Sequence, residues 1–121
     1  MQRESGLIDD LSEDGDLAMW AEMSRPAVAF IIAELDQMTL AECNDWCRRL
    51  AEQLLVELGL HFSDWERGFC NLIIAWVDQR RLSVRQIEIL YKVGRNGAGR
   101  ALAAERRKRL RIAMPANLLP A

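Results

Sequence analysis

The stretch "TLAECNDWCRRLAEQLLVELG", Thr39 to Gly59, carries a start, a stripe and a stop, and together they decide the fold. Thr39 followed three residues later by Glu42 forms a capping box, in which the hydroxyl accepts from the N–H of Glu42 and the carboxylate reaches back to the N–H of Thr39. Leu40, Cys43, Cys47, Leu50 and Leu54 then recur at intervals of three and four residues, as one buried helix face requires. Gly59 stands where a left-handed residue commonly closes a helix. The stretch therefore predicts a helix over 40–58.

The same grammar recurs outward in both directions. Upstream, Ser24 closely followed by Pro26 opens a helix over 25–38, with Val28, Ile31, Ile32, Leu35 and Met38 as its stripe. Downstream, the box Ser63–Glu66 opens a helix over 64–80, in which Trp65, Phe69, Leu72, Ile73 and Trp76 cover one side and Cys70, Ile74 and Val77 another. Apolar on two sides, it is expected to be the central helix, with Trp65 and Trp76 inside. A third box, Ser83–Gln86, opens a helix over 84–93 that Gly94 closes; Val84, Ile87, Leu90 and Tyr91 face the core and leave Arg85, Glu88, Lys92 and Arg95 outside. A fifth helix is expected over 98–112, after "GRNG" and before Pro115, and a short turn over 17–23. No stretch alternates as a strand. The class is all-α: a compact bundle of about five helices joined by short turns, one domain over 17–113, between an acidic, disordered 1–16 and a flexible tail over 114–121.

Composition agrees with one packed core: 121 residues, half of them hydrophobic and 28% charged. The strongest apolar run, 72–77, is far short of the ~20 residues that span a bilayer, and the first 16 residues lack an apolar signal core, so no membrane is expected and the cytoplasm is the expected compartment. Three cysteines at unequal spacing suit reduced thiols. Cys43, Cys47, His61 and Cys70 could be counted as zinc ligands, but "CNDWC" lies mid-helix on the apolar stripe, not on the tight turn of a zinc module. No metal or cofactor is expected.

Catalytic grammar is missing too. "KVGRNGAGRA" has three glycines but no preceding strand and no Gly-Lys-Ser/Thr, so it matches neither nucleotide fingerprint and reads as an interhelix turn. With one histidine and no nucleophile motif, no base–nucleophile pair is visible, and the expectation is a protein without enzymatic activity.

Charge is the most informative feature. Residues 1–60 hold 13 Asp and Glu against 4 Arg and Lys, a net −9, and residues 61–121 hold 5 against 12, a net +7. In the basic half, Arg80, Arg81, Arg85, Lys92, Arg95 and Arg100 lead to the run Arg106, Arg107, Lys108 and Arg109, a pattern suited to neutralising phosphates of DNA or RNA. The corner "DQRRLSVRQIEIL", Asp78 to Leu90, is compatible with a helix-turn-helix, although a plain helical hairpin explains it with fewer assumptions.

That corner belongs to a longer segment, "FSDWERGFCNLIIAWVDQRRLSVRQIEIL", which resembles a short helical module of phage and prophage proteins patterned as LSxWExxF and then LSxxQxxxL. Trp65, Glu66, Phe69, Leu82, Ser83, Gln86 and Leu90 fit the pattern, and Phe62 replaces its leucine. The resemblance covers about a quarter of the chain and implies an association with DNA replication, repair or mobile elements, with no catalytic residues.

Two functions follow. One is a small accessory protein that contacts nucleic acid through the basic face. The other is an interaction module, such as a phage-encoded inhibitor of a nucleic-acid-binding protein, whose acidic half engages a basic partner through Trp20, Glu22, Glu34, Asp36, Asp45 and Trp46. A homo-oligomer built on a left-over apolar stripe is compatible with either.

Overall fold

The computed structural model describes residues 14–113. These form five α-helices and one 3₁₀ turn: α1 (Asp14–Ala21), α2 (Arg25–Asp36), α3 (Leu40–Leu58), the turn Gly59–His61, α4 (Asp64–Ile74) and α5 (Val84–Ala113). No strand occurs among the described residues, and the all-α class holds. The expected disordered and flexible ends lie outside the described residues, except that 14–16 already belong to α1.

The four capped helix starts are present, whereas the start expected at 98 is not. Ser24 Oγ accepts from Ala27 N, and the boxes Thr39–Glu42, Ser63–Glu66 and Ser83–Gln86 close in both directions, with distances of 2.8–3.2 Å. The stops differ. Gly59 keeps right-handed dihedrals (φ −56°, ψ −32°) and leads into the 3₁₀ turn.

The helix expected over 64–80 ends at Ile74, because α3 captures the chain beyond it. Asn44, fully buried, donates through Nδ2 to Asp78 Oδ1 (3.1 Å) and to Arg80 O (3.0 Å), while its Oδ1 accepts from Leu82 N (3.0 Å). Arg48 donates to Trp76 O and to Asp78 Oδ1, both at 2.9 Å. Four polar groups of 76–82 are thus satisfied from α3, and a continued helix would forfeit those bonds. The connection 75–83 is far longer than the three- or four-residue turn of a helix-turn-helix, so neither that motif nor a tight hairpin describes it.

The largest difference is α5, one unbroken helix where two were expected. Gly94 and Gly97 do not stop it; they let neighbours approach. A Cβ on Gly94 would stand 2.5 Å from Trp20 Cζ3 and 3.2 Å from Leu54 Cδ2, and one on Gly97 would overlap the Phe62 ring. At ~1.5 Å per residue, α5 is about 45 Å long, and it packs against α1, α2, α3, α4 and the 3₁₀ turn. It is the central helix, not α4, whose Trp65 is 63% exposed.

The core contains Leu17, Trp20, Leu35, Cys43, Cys47, Leu50, Leu54, Leu58, Ile73, Leu90 and Tyr91. Trp20 stacks on Tyr91 with centroids 5.6 Å apart. α2 is peripheral: of its stripe only Leu35 is fully buried, while Val28, Ile31, Ile32 and Met38 pack on the core with one edge in solvent. A cleft therefore remains between α2 and α5.

Candidate nucleic-acid interface

The cations divide by what already occupies them. Arg81 donates through Nη1 to Leu35 O (3.2 Å) and through Nη2 to Met38 O, satisfying carbonyls at the end of α2. Arg100 donates to His61 O (2.8 Å) and to Glu66 Oε1 (2.6 Å), tying α5 to the start of α4. Arg80 lies over the Trp76 ring, 5.8 Å from its centroid. Arg109 is also engaged. Of the ten cations expected at the interface, those four hold the fold or have other partners.

Arg85, Lys92, Arg95, Arg106, Arg107 and Lys108 make no hydrogen bond or ion pair among the described residues. Five of them, all except Lys108, fall on one arc of α5, since positions 85, 92, 95, 106 and 107 return to the same side at 3.6 residues per turn. Between Arg95 and Arg106 this side carries Gly99, with open space beside it, and Ala103, while Glu88, Ile89 and Asn96 share the first half of the arc with the cations. Arg85 to Arg107 spans roughly 33 Å, about one turn of a duplex. Beyond Leu102, the last buried residue, the helix leaves the packed body, and every side chain from Arg106 to Ala113 is exposed.

The first half of the arc borders the α2–α5 cleft, about 480 Å³ in volume. Met23, Arg25, Val28 and Ala29 form one wall; Arg85, Glu88, Ile89, Tyr91, Lys92 and Arg95 form the other. Four cations thus face one carboxylate. Arg25, too, has no hydrogen bond or ion pair among the described residues. The sequence does not single it out, because it sits in the acidic half beside a helix start; only the packing of α2 on α5 brings it to the basic face.

The alternative acidic surface does not assemble as expected. Trp20 is 1% exposed and belongs to the core, where its Nε1 finds no acceptor among the described residues. Trp46 is half-buried and donates through Nε1 to Tyr91 Oη (3.3 Å). Asp45 is paired with Arg49 at 2.9 Å. Glu22, Glu34 and Asp36 are exposed, but Glu34 and Asp36 are two residues apart and point to different sides of α2.

Buried ionisable groups are accounted for structurally. Burial pushes the thiols of Cys47 and Cys70 up to about 12 and about 11, and the Tyr91 hydroxyl to about 12. None is a nucleophile near neutral pH. Burial also pushes Glu66 upward, but the Arg100 guanidinium and the Ser63 N–H and hydroxyl outweigh it and hold the carboxyl below its ordinary range. Among the described residues no group of three or more His, Cys, Asp or Glu could hold a metal ion, and no helix is long and apolar enough to cross a membrane.

Comparison with protein-family models, with curated proteins and with solved structures gave no match.

Proposed function

We propose that the protein is a small, non-catalytic accessory protein that binds nucleic acid along α5. The observation that carries this reading is the row Arg85, Lys92, Arg95, Arg106 and Arg107: one side of one helix, with no internal partner among the described residues. Unpaired cations at helical spacing exchange condensed counterions for phosphates, and each such contact adds to affinity and to its salt dependence. The resemblance of 62–90 to a phage-borne module supports a setting in phage or mobile-element DNA metabolism.

The test is fluorescence anisotropy with labelled DNA at several salt concentrations, comparing the intact chain with the triple variant Arg106→Ala, Arg107→Ala, Lys108→Ala. Each lost phosphate contact should flatten the slope of log affinity against log salt by about 0.7–0.9. Absence of binding at low salt overturns the reading.

One observation favours a protein partner instead. Trp65, stacked on Phe69 with centroids 5.5 Å apart, is 63% exposed, and Leu72 on the same helix is 50% exposed. On that reading the partner surface is α4 and not the acidic half, and Trp65→Ala abolishes partner capture with the fold intact.

A further inference from the structure

We propose that the α2–α5 cleft receives one unstacked nucleotide, so that this surface prefers single-stranded nucleic acid to duplex. The inference rests on the reading of α5 as a nucleic-acid surface and adds what a flat row of cations would not provide. A row on a convex helix can meet the phosphates of either form. A cleft of about 480 Å³ is different, because it has the size of a small-ligand site and an interior that a stacked duplex cannot enter.

The chemistry of the walls fits a nucleotide. Val28, Ala29 and Ile89 supply apolar surface for a sugar or the face of a base, while Arg25, Lys92 and Arg95 bring positive charge from both sides for the phosphates that flank it. Arg25 comes from α2 and the others from α5, so a backbone passing through the cleft is neutralised from two directions, as a groove does and a stripe does not. Glu88 is the single carboxylate in the walls. It reduces the attraction for a bare anion, and it offers an acceptor to an exocyclic amino group of a base.

The test compares a short labelled single strand with the duplex of the same sequence, at one low salt concentration, for the intact chain, Ala29→Trp and Arg25→Ala. Ala29 is exposed on α2, so a tryptophan there fills the cleft without entering the core; helix content and the urea midpoint confirm folding. Expected is a single-strand preference of about tenfold in the intact chain, the scale of one base gaining a stacking surface. Ala29→Trp should remove that preference and leave duplex affinity within about twofold, and Arg25→Ala should weaken single-strand binding more than duplex binding. Equal affinity for both forms, or an unchanged preference in Ala29→Trp, overturns the cleft inference and leaves the α5 surface standing. If neither form binds, the proposed function falls and the cleft inference with it.

Discussion

Two glycines in α5 predict opposite responses to one substitution. Alanine in place of glycine inside a helix stabilises by roughly 0.5–1 kcal/mol, because the unfolded chain loses freedom and the helix gains a good former. Gly99 has open space where a Cβ would go, so Gly99→Ala should show that gain nearly undiminished. At Gly94 the new methyl would sit 2.5 Å from Trp20 Cζ3, and the indole cannot swing away, being fully buried and stacked on Tyr91. Forcing a methyl into a packed core costs about 1–3 kcal/mol, which outweighs the helix gain. Gly94→Ala should therefore destabilise, with its urea midpoint below that of Gly99→Ala by an amount on the order of 1 M. Destabilisation alone does not separate this account from a left-handed helix end at Gly94, where alanine would also be unfavourable. A double-mutant cycle does. With Trp20→Leu making room, the cost of Gly94→Ala should shrink or reverse, giving a coupling of ~1–3 kcal/mol. A coupling near zero, with helix content reduced in Gly94→Ala, would refute a continuous α5 packed on Trp20.

Two further expectations concern what fixes the connections. Asn44→Ala should cost about 1–3 kcal/mol in urea unfolding, since it leaves the buried Leu82 N–H without a partner and takes one of two donors from the Arg80 carbonyl, which keeps Trp76 Nε1 at 2.8 Å, and Asn44→Asp should be no better, because it turns the donor toward Asp78 into a like charge. A cost below ~1 kcal/mol would mean that the connection is held by something else. Acid should also weaken the fold through Glu66 and Asp78. Both carboxyls sit below their ordinary values, Asp78 through the Arg48 and Asn44 hydrogen bonds, so their contribution is complete above about 4.5 for Glu66 and 3.8 for Asp78 and is lost as pH falls through the lowered folded values. Between pH 5 and 3 the urea midpoint should fall, and Glu66→Gln should flatten the Glu66 part of that fall. An identical pH profile in the variant would remove Glu66 from the account.

What was legible in the sequence follows from the range of the interactions involved. Ser24, Thr39, Ser63 and Ser83 each cap their helix through contacts three residues away, so all four starts could be read from local spacing. The ends could not. α4 stops where it does because Asn44 and Arg48, about thirty positions earlier, take up the polar groups of 76–82. α5 continues past Gly94 because Trp20, from the other end of the chain, needs the space that a side chain would fill. A glycine written for close approach looks the same in sequence as one written for a turn, and only the partner distinguishes them.

The same limit applies to the interface. Composition located the basic half, but not which of its cations are free. Arg81 reaches back to the end of α2 and Arg100 to the 3₁₀ turn, so two residues counted toward phosphate binding hold the bundle together instead. Arg25 moves the other way, from the acidic half into the basic cleft. The −9 and +7 halves are therefore not two electrostatic modules lying end to end. The acidic half supplies acceptor carbonyls to Arg81 of the basic half and lends it one cation, while Glu66, within the basic half, holds Arg100. Of the cations left unpaired among the described residues, Arg85, Lys92, Arg95, Arg106 and Arg107 gather along one side of α5, and the proposed attraction of a chain of net charge −2 for a polyanion rests on that concentration.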